Sequence, residues 1–146
     1  VQRDYDLLIF DWDGTLADSV GRIVQSMRTA AVQSGLEIRD DSAIKDIIGL
    51  GLPEAVRTLY PQIDDSLLTE FRQHYADAYM AMDNVPSSLF EGVVESMQAF
   101  REDGYRLAVA TGKARRGLDR VLEANGWLIT SISHERPTKR RASLIR

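Results

Sequence analysis

Cysteine is absent from the chain, which excludes disulfides and thiolate metal sites and fits a reducing compartment, the cytoplasm by expectation. No apolar run approaches the roughly 20 residues that a membrane helix needs. Nor is there a charged start followed by an apolar stretch and a small-residue cleavage site. No membrane partner and no secretory signal are therefore expected. Basic residues are sparse in the body of the chain. Arg136, Lys139, Arg140, Arg141 and Arg146 fall after residue 128 against Glu135 alone, so the preceding body carries a net charge of −8. Such an acidic body offers no electrostatic footing for nucleic acid. What is present is the make-up of an ordinary globular domain: 146 residues, 44% hydrophobic and 27% charged, long enough to bury a core.

The apolar run "YDLLIFD" (Tyr5 to Asp11) ends in a polar turn and predicts a buried parallel strand. A helix is predicted from about Val20 to Ser34, where Ile23, Val24, Met27, Ala30 and Ala31 recur at helical spacing. Asp18 or Ser19 would cap it and Gly35 would stop it. Shorter helices are expected over 41–48 and 53–60, parted by "GLGLP", with Pro53 suited to a first turn. Another is expected from Ser66 to Met82, before the connecting loop "NVPSSLFEG". The pattern then changes to an amphipathic helix, "GVVESMQAFREDG", a second buried strand, "YRLAVAT", and a helix, "KARRGLDRVLEANG". With the helical block set aside, the remainder is the β-α-β-α opening of a doubly wound α/β sheet.

Ligands of open parallel sheets gather at the carboxyl ends of the strands. Asp11, Trp12, Asp13, Gly14 and Thr15 follow the first strand, and Thr111, Gly112 and Lys113 end the second. Two carboxylates one residue apart can share a hard cation such as Mg²⁺. One of them can then attack phosphorus while the other moves the proton. Gly14 lets the backbone approach closely, so that N–H groups of its turn can hold phosphoryl oxygens, and Thr111 offers a hydroxyl to the same oxygens. Alone, D-x-D-G also describes a solvated turn, and Thr-Gly a helix cap. Their convergence on one sheet edge favours chemistry.

"FDWDGTLADS" resembles the first motif of the haloacid dehalogenase-like hydrolases, hhhDxDGTLxDS, and "LAVATGK" resembles their second. The helical block resembles the cap of the phosphoglycolate phosphatase-like branch. The resemblance covers about residues 5 to 128 and implies an α/β, Rossmannoid parallel-sheet core with an inserted α-helical cap. Residues 1–16 and 86–128 would form a partial core, 17–85 the cap, and 129–146 an aberrant basic tail. It further implies Asp11 as nucleophile and Asp13 as general acid/base. Mg²⁺ would be held by Asp11 and the Asp13 carbonyl, and the phosphoryl group by Thr111 with Gly112. The substrate would be a small phosphorylated metabolite. Gly49, Leu50 and Gly51 look like the cap loop that closes over substrate, although a plain interhelical turn reads equally well. Lys113 is a further substrate candidate, but a lysine in a first helical turn is ordinarily solvated. Trp12 is expected to face cap or core, and His74 to be a surface or packed residue.

The same resemblance implies a third motif, a lysine commonly followed by proline, and a fourth of the G-D-x-x-x-D kind. Lys139 lies near the spacing of the third but precedes Arg140, and no strand is predicted before it. No fourth motif is found. One choice of codons for residues 129–146, with one base restored in front, reads D-Y-F-D-I-T-R-A-A-D-E-T-A-S-K-P-H-P, which brings back Lys-Pro. A frameshift just after Leu128, followed by an early stop, is therefore expected, and the nucleotide sequence of the gene decides it. On that expectation this chain turns over weakly or not at all, and only two core strands remain. A catalytically dead product that forms homo-oligomers through its open sheet edge is the alternative, with a phosphomutase of the same superfamily as a third reading.

Overall fold

The computed structural model describes residues 5–82 and 88–127, together with the backbone of 129–131 and 141–145. Strand β1 (Leu7–Phe10) leads into four helices, α1 (Val20–Gln33), α2 (Asp41–Asp46), α3 (Leu52–Leu59) and α4 (Asp65–Ala81). Then come α5 (Val93–Glu102), β2 (Arg106–Thr111), α6 (Arg115–Ala124), β3 (Ile129–Ser131) and β4 (Arg141–Ile145). Asp40 and Asp64 cap α2 and α4, their carboxylates accepting from the Ala43 and Leu67 amides at 2.7 and 2.8 Å. None of the described helices is long and apolar enough to cross a membrane.

The sheet has four strands in the order β1-β2-β4-β3. The β1–β2 pair is parallel, with Phe10 opposite Val109, whereas β4 runs antiparallel to both β2 and β3. The expectation of two core strands is thus corrected, because the basic tail supplies two further strands. Their ladders form through main-chain N–H and C=O groups, which require no apolar pattern to pair. Lys139 lies outside the described residues, as does the loop 83–87.

Two separate apolar clusters form. One holds the four helices of the inserted block together through Ile23, Val24, Met27, Ile44, Val56, Leu59, Leu68 and Phe71. The other packs Val93 and Met97 of α5 and Leu118 and Leu122 of α6 against Leu8, Phe10, Leu107 and Val109 of the sheet. These four strand residues share one face by the two-residue alternation of a strand. Ile9 points to the opposite face and is 57% exposed, so β1 is covered on one side only, not on both as its apolar run predicted. Two chain segments join the modules side by side: the Asp18 amide donates to the Ser88 carbonyl at 2.9 Å and the Phe90 amide to the Leu16 carbonyl at 3.0 Å.

Candidate active site

Trp12 decides where its neighbours point. Its indole is 1% exposed and meets Trp127 edge-on at 5.9 Å, inside the sheet cluster. The chain bends at Trp12, and with the indole turned into the sheet cluster Asp11 faces Gly49 and Asp13 faces Ser19 at the start of α1, both on the side of the helical module. The backbone behind them is tightly tied, since the Trp12 carbonyl accepts from the amides of Thr15, Leu16 and Ala17 at 3.2, 3.0 and 3.0 Å. Gly14 makes the turn with φ +77°, a left-handed conformation that a side chain would strain, and the Val20 methyl lies 3.1 Å from where its Cβ would be.

Each carboxylate is held differently. Oδ1 of Asp11 accepts from the Trp12 amide at 2.8 Å, and its Oδ2 faces Gly49 of the helical module, 3.7 Å from the position of a Gly49 Cβ. Oδ1 of Asp13 accepts from the Ser19 hydroxyl at 2.7 Å and pairs with the Lys113 ammonium at 3.2 Å. The Asp13 and Lys113 side chains are only 11% and 12% exposed. Burying a carboxylate this far is costly unless it is paired and hydrogen-bonded, and both conditions are met here.

The β2 end supplies the facing wall. Because Phe10 pairs with Val109, Asp11 and Thr111 leave the sheet at the same edge. Thr111 is buried, and its hydroxyl oxygen accepts from the Lys113 amide at 3.2 Å. Gly112 is seated under the loop between α2 and α3: a Cβ on it would lie 2.3 Å from the Leu50 carbonyl oxygen and 2.7 Å from that of Gly49. Gly49 turns that loop with φ +99°, and Gly51 is the N-cap of α3. The loop is therefore an interhelical turn and also the segment lying on both strand ends. The interhelical-turn reading of Gly49, Leu50 and Gly51 is what the geometry shows.

Lys113 departs from expectation. Helix α6 begins at Arg115 with Ala114 as N-cap, so Lys113 stands in the turn before it and is half-buried against Asp13 instead of being solvated. Trp12 faces the sheet cluster, and His74 is half-buried on α4 away from these contacts. Three participants were not expected at the site. Ser19 stands at the N-cap of α1 yet makes no cap bond, because its hydroxyl goes to Asp13. The serine closing the D-x-D-G-T-L-x-D-S motif was the available signal. Tyr79 and Arg22 gave none. The Tyr79 hydroxyl lies 3.4 Å from the Lys113 ammonium, and the Arg22 guanidinium carbon lies 4.0 Å from the centre of the Tyr79 ring. Behind Tyr79, burial pushes the Tyr75 phenol well above its ordinary range, with the Tyr79 and Asp13 charges adding to the rise, so Tyr75 stays neutral.

Replacing Ser19 with Ala is expected to cost about 2 kcal/mol of stability, the usual size of a hydrogen bond to a buried charge. A shift of the urea midpoint with unchanged slope would measure it. An unshifted midpoint would mean that water substitutes for the hydroxyl.

Among the described residues no group of three or more His, Asp or Glu side chains gathers around a metal-sized space. Asp11 and Asp13 are the oxygen donors at hand.

Residues 8–140 match the family described as haloacid dehalogenase-like hydrolase. The probable phosphatase IndB of Dickeya dadantii is 35% identical over 123 residues, which are 82% of this chain and 54% of that protein. The phosphoglycolate phosphatase of Vibrio vulnificus is 29% identical over 133 residues, 86% of this chain and 58% of its own. Among solved structures, that of the Mycobacterium tuberculosis protein tyrosine kinase A is 35% identical with a TM-score of 0.68, covering 83% of this chain and 55% of that one. The chain thus spans between 54% and 58% of the length of these relatives.

Proposed function

This chain belongs to the haloacid dehalogenase-like hydrolase family, and on that premise we propose that it is a phosphatase of small phosphorylated metabolites, acting through an aspartyl-phosphate on Asp11. The observation that carries the reading is the pair Asp11 and Asp13, turned to one side of the β1 end by the buried Trp12, beside Thr111 and under the Gly49–Gly51 loop.

A carboxylate oxygen of Asp11 attacks phosphorus, and the bond from phosphorus to the leaving oxygen breaks. Protonated Asp13 gives its proton to that oxygen, so the alcohol departs neutral. Asp13, now a carboxylate, takes a proton from a water that attacks the same phosphorus. The bond to Asp11 then breaks, releasing phosphate and restoring both residues. Thr111 and the Gly112 amide would receive phosphoryl oxygens, whereas the amides of the Gly14 turn, expected to do so from the sequence, are bonded to the Ala17 and Trp12 carbonyls. Asp11 and the Asp13 carbonyl, oxygen donors, suit a hard divalent cation that keeps several waters. Mg²⁺ held there would supply charge neutralisation that lets a carboxylate approach a phosphate dianion. The rest of the substrate would meet Gly49, Leu50 and Gly51 of the helical module, with Lys113 on the sheet side.

The test is phosphate release from an aryl phosphate and then from a panel of phosphorylated metabolites, with Mg²⁺ and with chelator. Release above background that chelation abolishes supports the reading. The likeness to a protein named a tyrosine kinase favours, as second reading, transfer of the phosphoryl group to an acceptor hydroxyl. Phosphate release in the absence of acceptor counts against it. A chain that releases no phosphate and elutes as an oligomer would instead support the self-associating product.

A further inference from the structure

The half-buried Lys113 ammonium has a second partner besides Asp13. A lysine stem has about 2 kcal/mol of rotamer freedom to lose. One end of the stem is fixed by a missing atom: its Cγ and Cδ lie 3.3 and 3.6 Å from where a Cβ on Gly117 would be. The other end reaches across to the helical module, where the ammonium lies 4.9 Å from the centre of the Tyr79 ring and 3.4 Å from its hydroxyl. That separation is inside the roughly 6 Å range in which an aromatic face attracts a cation. Tyr79 in turn is anchored by Arg22 of α1, whose guanidinium donates twice to the Tyr79 carbonyl, from Nε at 3.1 Å and from Nη2, and lies over its ring. Tyr75 packs against the Tyr79 ring at 5.8 Å between centres.

From this chain of contacts we propose that Tyr79 is a positioning residue of the candidate site. It holds the Lys113 ammonium over Asp13 while the helical module is docked on the sheet, and it takes that hold away when the module lifts. The functional meaning depends on the phosphatase reading, because Asp13 is its acid and base. The physical coupling does not. Docking of the module and the placing of a cation beside Asp13 become one event, since Tyr79 and Arg22 belong to the module and Asp13 and Lys113 to the sheet ends.

The absence of cysteine makes the test direct, because two introduced cysteines are the only labelling sites. Spin labels at Glu70→Cys on α4 and Ser96→Cys on α5, both exposed, report the distance between the modules. Only Lys45, Lys113 and Lys139 contribute lysine signals, so isotope-labelled lysine resolves the Lys113 ε-methylene, displaced upfield by the ring. Tyr79→Phe should keep the narrow distance and most of the displacement. Tyr79→Leu should abolish the displacement and raise the population at longer distances by about five- to thirty-fold, the range a desolvated cation–ring contact covers. Lys113→Met should raise it comparably.

The proposal is overturned if Tyr79→Leu keeps both the narrow distance and the Lys113 displacement. It is overturned equally if Lys113→Met leaves the distance unchanged, since the module would then stay docked without the Tyr79–Lys113 contact. Should Tyr79→Leu not fold, Lys113→Met decides by itself. Neither readout depends on turnover, so a chain that hydrolyses nothing would sink the phosphatase reading and leave this result standing.

Discussion

Replacing Asp11 with Asn is expected to reduce phosphate release to the background of buffer, a loss of at least about 10³-fold, because an amide cannot serve as the nucleophile. The change is nearly isosteric. The Asn oxygen can still accept from the Trp12 amide, as Oδ1 of Asp11 does at 2.8 Å, so the turn after β1 keeps its shape. Unaltered circular dichroism and an unaltered urea midpoint beside abolished release would assign the loss to chemistry and not to folding. Equal release by parent and variant would place the nucleophile elsewhere and remove the central step of the proposed reaction.

The second large effect is steric. Gly112→Val is expected to drive the helical module off the sheet ends. The Leu50 carbonyl oxygen and carbon lie 2.3 and 2.6 Å from the position of a Gly112 Cβ, and both are backbone atoms that no rotamer change can move aside. Forcing extra methylenes into such a contact costs about 1–3 kcal/mol, enough to reduce the docked population by roughly one to two orders of magnitude. Amide hydrogen exchange over residues 47–51 should accelerate, and kcat/KM should fall with the docked population. Gly21→Ala is the control: nothing lies within 4 Å of its Cβ position, and a helix interior favours Ala over Gly. If Gly112→Val exchanges like the control, the loop on the strand ends moves freely at no cost, and closure is not what Gly112 permits.

The parts of the fold that could be read from the chain were those whose cause is local. The stripe of Ile23, Val24, Met27, Ala30 and Ala31 could be buried only as a helix face, and it is. The apolar run closing on Asp11 and the run closing on Thr111 read as strands, and they pair in parallel, although β1 is covered on one face only. Strands β3 and β4 were not legible, because a ladder of main-chain hydrogen bonds leaves no trace in a basic segment without alternation. The exposure of Ile9 was not legible either, since an apolar residue is not told from its own strand which faces are covered. Lys113 was misjudged for the same kind of reason. Its partner Asp13 is a hundred residues earlier, and a lysine near a helix start is ordinarily wet.

By itself, then, the chain determined where the carboxylate pair stands: D-W-D closing an apolar run sets Asp11 and Asp13 together at the carboxyl end of a strand. Only the tertiary structure decided what surrounds them. Ser19 and Lys113 on Asp13, the Leu50 carbonyl on Gly112, and Tyr79 with Arg22 on Lys113 are all contacts between segments distant in the chain or aimed away from their local partner. Periodicity and capping record how a segment folds on itself. They carry no record of which distant backbone oxygen or ring will come to rest against it, and that docking is what turns two carboxylates at a strand end into an enclosed site.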